Sequence, residues 1–334
     1  MSALTDLGSA DMRMTEIRPQ APTEQDAAKL VETTLHDTPL SVQRFPTGFA
    51  HSVYDVVTEN QRKVVVRMSL PGQDASLAGA LYWSRRLRPK GVPLPTILCH
   101  DLSAAVTPFP ALIVERLAGT DLGYAYPSLS ARDKKTLATE LVRIQERVST
   151  LPLGKGYGYV FRYDDPFPCR TWSEVVHGLL ARGRSRITRI GIVDPCHLDR
   201  VQEALLLFKD YFARIPPRAF LDDTTTKNVI VDAGKLSGIV DVDEVCFGDP
   251  LFTIALTQMA LLNKGYDLDY IVFWTDLLRL SFEEYAALQV YTCLFCVDFL
   301  SEIGQIFNKD QPEPIDHRAV LQLSAILDNL LSSL

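Results

Sequence analysis

Residues 219–243 form an island of predicted short strands within a half of the chain that is otherwise helical in pattern. The apolar runs RAFL and NVIVD flank a seven-residue polar loop, and a turn at Ala233-Gly234 leads into a third strand, LSGIVDVD. A surface hairpin explains such a loop taken alone, because Asp, Thr and Asn favour turns. The island nevertheless restricts the chain to a fold in which strands and helices are mixed.

The N-terminal part of the sequence supplies further strands. β-Branched residues cluster around two turn signals, near Gly48 and at Glu59-Asn60, and they predict three antiparallel strands. A helical pattern over residues 74–90 follows, and then two more strands, PLPTILCHD and PALIVERL. Helical periodicity dominates the later residues 129–149, 171–187, 197–214 and most of 250–334.

This order of elements predicts an α+β fold with two lobes. We expect a flexible polar arm over residues 1–22, a small N-lobe with an antiparallel sheet and a helix over residues 23–116, and a larger, mainly helical C-lobe over residues 117–334. The change in composition near residues 116–120 indicates the hinge between the lobes.

Charge and composition exclude several classes of protein. The net charge is −7 and no basic run is present, which argues against nucleic acid as a partner. The most apolar late segments are too short to cross a bilayer or carry Asp298, and no signal-peptide pattern is visible. Six scattered cysteines do not resemble a disulfide framework. We therefore expect a cytoplasmic protein without a membrane partner.

The acidic residues of the island point to a metal and to a reaction. Asp241 and Asp243 are separated by one residue and so share one face of a strand. Clustered carboxylates repel each other unless a cation lies between them, and Mg²⁺ prefers oxygen ligands. Asn228 adds a neutral oxygen, and Asp223 can accept the proton of an attacking hydroxyl. These residues predict magnesium-dependent phosphoryl transfer.

The segment LDDTTTKNVIVDAGKLSGIVDVDEVCFGDP resembles the catalytic segment of the aminoglycoside phosphotransferase family, protein-kinase-like enzymes that phosphorylate small molecules. The family pattern is H-G-D-x-x-x-x-N, then a strand pair that ends I-D-x-[DE], then G-D-P. The resemblance implies that Asp223 is catalytic and that Asn228 and Asp241 bind the metal. Asp243 is expected to assist the metal or to brace the loop, and Asp249 to be a structural acid.

The N-terminal half is similar to the family in the same order. FPTGFAHSVYDV, with Gly48, lies where the family covers the nucleotide, and KVVVRM puts Arg67 in place of the lysine that anchors phosphate. ALIVERLAGTDL is similar to the hinge, where the backbone from Glu115 to Leu117 would meet the adenine. The resemblance thus implies ATP as the cofactor, with GTP as a possible substitute, together with Mg²⁺.

The loop around Asp223 departs from the family pattern. Leu221 and Asp222 replace the His-Gly pair, Thr225 stands where many members have a second histidine, and Thr253 replaces a later acid. Because the family histidine braces this loop, we expect another side chain to make the loop rigid.

Two further departures concern the phosphate anchor. Arg67 keeps the positive charge but is a planar fork rather than a point charge. The helix over residues 74–90 contains no glutamate, so the usual Lys–Glu pair cannot form. The alternative interpretation is therefore a catalytically retired kinase fold that binds a nucleotide or another ligand.

The acceptor is expected to be the hydroxyl of a small molecule. Asp298 and Glu302 lie four residues apart in a late helix, on one face. In the family such helices line the acceptor cleft, and acidic walls suit cationic acceptors. A solvated helix face is the alternative, although the apolar neighbours of Asp298 favour burial. The sequence makes no prediction about the oligomeric state.

Overall fold

The computed structural model describes residues 21–45, 51–191, 194–305 and 314–334. Its first part contains one five-stranded sheet and two helices. The elements are α1 (Glu24–Leu35), β1 (Pro39–Arg44), β2 (Ser52–Thr58), β3 (Lys63–Met68), α2 (Ala75–Leu87), β4 (Ile97–Asp101) and β5 (Ala111–Glu115). The strand order is β1-β2-β3-β5-β4, and all neighbouring strands are antiparallel.

Alternating burial along the central strands explains this sheet. In β2 every second side chain is buried, and β3 follows the same period of two. α1 begins with a capping box at Thr23 and buries Ala27, Leu30 and Val31 in the core on one side of the sheet. On α2, Leu77 and Ala80 pack against Leu112 of β5.

The second part is mainly helical and includes two small sheets. Its elements are β6 (Thr120–Asp121), α3 (Leu122–Ala125), α4 (Ala131–Val148), β7 (Gly158–Val160), α5 (Trp172–Ile190), α6 (Pro195–Leu207), α7 (Lys209–Arg214), β8 (Arg218–Phe220), β9 (Val229–Asp232), β10 (Lys235–Ile239), β11 (Val245–Gly248), α8 (Leu251–Asn263), α9 (Asp269–Leu278), α10 (Phe282–Glu302) and α11 (His317–Ser332). The small sheets have the orders β10-β9-β6 and β7-β11-β8. The predicted α+β fold, with a small antiparallel N-lobe and a helical C-lobe, is confirmed.

The island of strands divides between the two small sheets. β9 and β10 form the predicted hairpin, and both turn residues, Ala233 and Gly234, adopt the positive φ that a two-residue hairpin requires. β8 does not pair with β9. It pairs with β11, which in turn pairs with β7, and the sequence pattern indicated neither of these last two strands. The polar loop therefore crosses from one sheet to the other.

The core of the C-lobe surrounds α8 and α10, which are buried on most sides. Trp172 of α5 packs edge-on against Phe252 of α8 and donates a hydrogen bond from Nε1 to the Tyr291 hydroxyl at 2.7 Å. Trp83 of α2 belongs to the same core and donates to the carbonyl of Val160 at 3.0 Å. α2 is thus anchored in both lobes. Across the described ranges, no helix combines the length and apolar character that a membrane crossing needs.

Candidate functional site

The polar loop, residues 222–228, is braced by a glutamine of α4. The buried Gln145 side chain donates from Nε2 to the carbonyl of Leu221 at 2.7 Å and accepts from the Leu221 amide at 3.0 Å. The hydroxyls of Thr224 and Thr253 also lie 2.9 Å apart. These contacts hold the loop in place in the absence of the His-Gly pair. Thr253, which stands where the family has an acid, makes one of them.

Asp223 lies at the start of the polar loop with its carboxylate held by loop neighbours. The Thr225 hydroxyl donates to Oδ1 at 2.6 Å, and Lys227 Nζ lies 3.3 Å from Oδ2. Burial alone would raise the pKa of Asp223, but the Lys227 charge and the Thr225 hydrogen bond outweigh it and lower the pKa. The carboxylate is therefore ionised at neutral pH.

Lys227 is a functional candidate that the sequence analysis missed. It stands four residues after Asp223, and its side chain is half exposed while that of Asp223 is nearly buried. Burial opposes its charge, but Asp223 and Asp241 raise the pKa of Lys227. The spacing from Asp223 was the only signal in the sequence. Lys227 thus adds a positive charge next to the carboxylate predicted to be catalytic.

The β9–β10 hairpin brings Asn228 and Asp241 to neighbouring positions. The amide of Val240 donates to the carbonyl of Asn228 at 2.9 Å, which extends the strand pairing of Ile239 with Val229. Asn228 Nδ2 donates to the carbonyl of Asp223 at 3.0 Å, so its Oδ1 is the atom left for a ligand. Asp241 is half exposed and has a φ of 63°. Both side chains offer oxygen atoms next to the polar loop.

Arg67 of β3 reaches across to the segment after β10. Its two terminal nitrogens contact the two carboxylate oxygens of Asp243 at 2.8 and 2.7 Å, and Nη2 also lies 3.0 Å from Asp241 Oδ1. Both carboxylates raise the pKa of Arg67 against the effect of burial. The acid that orients Arg67 therefore comes from the C-lobe, at Asp243, and not from α2.

A histidine and a glycine of the N-lobe contact the Asp243 segment and help to hold it beside Arg67. His51 Nε2 lies 3.1 Å from Asp243 Oδ2, while Nδ1 lies 2.8 Å from the hydroxyl of Ser69. On α2, a side chain at the position of Gly79 would collide with the carbonyl oxygen of Asp243. α2 thus lies directly against the Asp243 segment. Burial would raise the pKa of Asp243, but Arg67 and His51 outweigh it and hold the pKa well below its usual range.

The oxygen atoms at this site fit a magnesium ion that arrives with a nucleotide. Asn228 and Asp241 supply one amide and one carboxylate, and Mg²⁺ at nucleotide sites usually takes one or two protein carboxylates besides phosphate and water. Among the described residues, no group of three or more His, Cys, Asp or Glu side chains could hold a metal ion alone. The donor set is thus suited to a shared ion and not to a closed protein cage.

Glu115 and Leu117, two of the predicted nucleotide-binding residues, lie where the chain leaves β5 for the helical part. Glu115 ends β5, and its carboxylate accepts a hydrogen bond from the Thr96 amide at 3.0 Å. Leu117 follows, and its side chain lies against Gly238 of β10, where a β-carbon would meet it at 2.8 Å. Gly48 lies outside the described residues.

The two acids predicted to bind the acceptor differ in their surroundings. Asp298 of α10 is 1% exposed and accepts a hydrogen bond from Arg182 Nη2 of α5 at 3.0 Å. Burial and the neighbouring Asp298 raise the pKa of Glu302 to about 7, while Lys227 acts in the opposite direction. The charge of Lys227 thus acts on Glu302 at the end of α10.

A second pair of carboxyl groups was not predicted as part of the site. Asp222 follows β8 by two residues and Glu244 directly precedes β11, and the charge of Asp222 acts on Glu244. Burial raises the pKa of Asp222 to about 6, and burial together with Asp222 raises the pKa of Glu244 to about 8. The negative charges of Asp222 and Glu244 repel each other, which favours the protonated form of Glu244. Their sequence positions, next to Asp223 and Asp243, were the available signal.

Asp249 has the surroundings of a structural acid. It is buried, accepts hydrogen bonds at Oδ2 from the hydroxyls of Tyr211 and Tyr291, at 2.8 and 2.9 Å, and accepts one at Oδ1 from the Leu251 amide. Burial raises its pKa, and these hydrogen bonds oppose that effect. Asp249 therefore fixes the start of α8 behind the site.

Comparison with protein families gives a match over most of the chain. The model of a family described as "Phosphotransferase enzyme family" matches residues 41–282. The matched range includes Arg67, the polar loop and Asp249. A search of curated proteins gives no match.

Solved structures show the same fold at low sequence identity. A thermostable mutant of aminoglycoside phosphotransferase APH(4)-Ia, in the apo form, superposes with a TM-score of 0.67 at 14% identity, covering 93% of this chain and 99% of that chain. The GDP complex of aminoglycoside 2'-phosphotransferase-IIIa gives a TM-score of 0.66 at 13% identity, with 93% and 99% covered. The streptomycin–ATP–APH(2")-IIa ternary complex gives 0.62 at 12% identity, with 93% and 97% covered.

Proposed function

Because the chain belongs to the phosphotransferase enzyme family, we propose that it transfers the γ-phosphoryl group of ATP to a hydroxyl group of a small molecule. One observation carries the proposal. Asp223 and Asn228 of the polar loop lie beside the segment that carries Asp241, and Arg67 of β3 reaches Asp241 at 3.0 Å. A fold alone does not require these charged groups to converge. As part of the proposal, the lobes divide between residues 116 and 117.

Asp223 is the residue we assign to the acceptor hydroxyl. In the transfer, the hydroxyl oxygen bonds to the γ-phosphorus, and the bond from phosphorus to the β,γ-bridging oxygen breaks. The hydroxyl proton passes to the Asp223 carboxylate, which is ionised because Lys227 and Thr225 lower its pKa. Lys227, 3.3 Å from that carboxylate, adds positive charge where the transferred group is negative.

The nucleotide is assigned to the junction of the lobes. Arg67 would contact its phosphates through a planar fork that suits phosphate oxygens. The backbone from Glu115 to Leu117 would meet the base, with Gly48 above the phosphates. Asn228 and Asp241 would hold Mg²⁺, which, when bound, neutralises the phosphate charge. Relatives of the same fold are described in complexes with AMP-PNP, ADP or GDP, which supports ATP and allows GTP.

The acceptor we propose is a polar molecule that bears an amine. Asp222 of the polar loop repels Glu244, and Asp298 repels Glu302, so a cationic group would offset the negative charge of these acids. A solved relative is described in a ternary complex with hygromycin B, and another with streptomycin. We propose no nucleic acid or membrane partner. The six free thiols suit the reducing cytoplasm, to which we assign the protein.

One observation favours a second function, that of a binding module without turnover. Arg67 is paired with Asp241 and Asp243. α2 carries no acid that could form the family's usual ion pair with the phosphate anchor. A kinase fold that has lost its transfer reaction would still bind a ligand between the lobes.

Transfer to a panel of amine-bearing alcohols separates the two functions. Radiolabelled γ-phosphate should move from ATP to at least one acceptor with the wild type. Asp223→Asn should bind nucleotide normally but lose transfer by at least about 10²-fold, since it lacks the proton acceptor. Full turnover by Asp223→Asn would refute the roles assigned here. Nucleotide binding without transfer to any acceptor would favour the binding module.

A further inference from the structure

Arg67 contacts two carboxylates in unequal ways. Both of its terminal nitrogens contact Asp243, at 2.8 and 2.7 Å, whereas only Nη2 contacts Asp241, at 3.0 Å. The side chain of Asp243 is 12% exposed and that of Asp241 is 50% exposed. A two-point, buried contact is stronger than a single exposed one.

Asp243 is also held from the N-lobe side. His51 Nε2 lies 3.1 Å from its Oδ2, and the ring of the buried His51 contacts the hydroxyls of Ser69 and Ser76 at 2.8 and 3.0 Å. Gly79 of α2 packs against its carbonyl oxygen. Separating Asp243 from Arg67 would leave charged groups buried without compensation.

Asp241 has much less support. In the part of the chain that the structure describes, Arg67 is the one hydrogen-bond partner of its side chain. Its φ of 63° lies in the left-handed region, which is unfavourable for a residue with a β-carbon, and such strain often accompanies a functional role. Asp241 can therefore exchange its partner at little cost.

We infer that the two carboxylates have different roles: Asp243 is the fixed counter-ion that positions Arg67, and Asp241 is an exchangeable counter-ion. When nucleotide phosphates arrive, Arg67 keeps Asp243 and turns its remaining donors to phosphate oxygens. Asp241 is then released to bind the divalent cation. This inference rests on the proposed function, because it concerns the same phosphate and metal site. It assigns Asp243 as a positioning residue and not as a metal ligand.

The inference has a consequence for the protein without nucleotide, in which Arg67 and a divalent cation compete for Asp241. Mn²⁺ alone, measured as free ion by electron paramagnetic resonance, should bind weakly to the wild type and at least about tenfold more tightly to Arg67→Gln, given the usual strength of a charged hydrogen bond. Adding Asp241→Asn to Arg67→Gln should remove this gain.

The matched control is Arg200→Gln, because Arg200 of α6 also pairs with a carboxylate, that of Asp328 of α11, at 2.6 Å. It should bind Mn²⁺ like the wild type. If Arg67→Gln does not fold, Arg67→Lys tests the same point, since one ammonium cannot contact both carboxylates as the fork does, and a smaller gain is expected. Equal Mn²⁺ affinity in the wild type and the folded Arg67 variant, or a gain that persists with Asp241→Asn, would overturn the inference.

A second measurement separates the two carboxylates through ADP affinity with and without Mn²⁺. In Asp241→Asn the ratio of the two affinities should fall to about one. In Asp243→Asn the affinity should weaken under both conditions while the ratio stays near the wild-type value. A ratio that collapses in Asp243→Asn as well would make Asp243 a metal ligand and overturn the inference.

Failure of the proposed function would give results different from those that overturn the inference about Arg67. A wild type that binds neither ADP nor ATP would refute the phosphotransferase, and the measurement with Mn²⁺ alone would still decide the inference about Arg67. Conversely, phosphoryl transfer together with equal Mn²⁺ binding by the wild type and Arg67→Gln would leave the proposed function intact and refute the inference.

Discussion

At the scale of single residues, contacts within the polar loop stabilise the negative charge of Asp223, although its side chain is nearly buried. Asp223 stays ionised because Lys227 and Thr225 stabilise its negative charge more than burial opposes it. Gln145 fixes the loop through the backbone of Leu221. The sequence predicted Asp223 but could not predict Gln145, which is 76 residues from Leu221 along the chain.

Replacing Lys227 tests whether its charge contributes to the proposed reaction. Lys227→Met should lower kcat by about 10²-fold, because one electrostatic contact at a transition state is worth roughly that factor. Lys227→Arg should retain more activity. The control is Lys155→Met, which removes an exposed lysine paired with Asp164 at 3.0 Å and should leave kcat unchanged. A normal kcat for Lys227→Met would show that its pairing with Asp223 is structural only.

At the scale of elements, the β9–β10 hairpin explains why part of the site was predictable. Its two-residue turn fixes the register of the first pairs, and the register shifts by one residue between Leu236 and Gly238. The pairing beyond this shift sets Asn228 beside the segment that leads to Asp241. Alternation along a strand and turn chemistry are local, so the sequence carries them. The pairing of β11 with β8 and with β7 joins segments far apart in the chain, and no local pattern specified it.

The end of α10 should make stability depend on pH. The pKa of Glu302 is about 7 in the folded protein against an ordinary value of 4.5, because of burial and Asp298, with Lys227 and Arg186 opposing. Between these values the folded state holds a proton that the unfolded state releases. The free energy of unfolding should therefore fall as pH rises from about 4.5 to 7.

Glu302→Gln should remove this fall and stabilise the protein at pH 8 by about 3 kcal/mol relative to the wild type. Denaturant unfolding at several pH values measures the difference. Glu283→Gln, an exposed acid near the start of the same helix, should leave the pH profile unchanged. Parallel profiles for the wild type and Glu302→Gln would show that the carboxyl group of Glu302 has an ordinary pKa.

At the scale of the whole molecule, the order of elements was enough to predict two lobes, because strands and helices are segregated along the chain. The contact between the lobes was not predictable. Arg67 and Asp243 are 176 residues apart, and the absence of an acid on α2 suggested only that some other acid was needed. That acid is Asp243, which contacts Arg67 at the junction of the lobes, where we place the nucleotide.

The most direct test of this account is calorimetric titration of ATP into the wild type and into Asp241→Ala, each with and without Mg²⁺. We predict micromolar binding by the wild type that depends on Mg²⁺, and loss of that dependence in Asp241→Ala, since the mutant lacks the carboxylate proposed to hold the ion. Absence of ATP and GTP binding by the wild type, or Mg²⁺-dependent binding that is unchanged in Asp241→Ala, would contradict the proposed nucleotide and metal site.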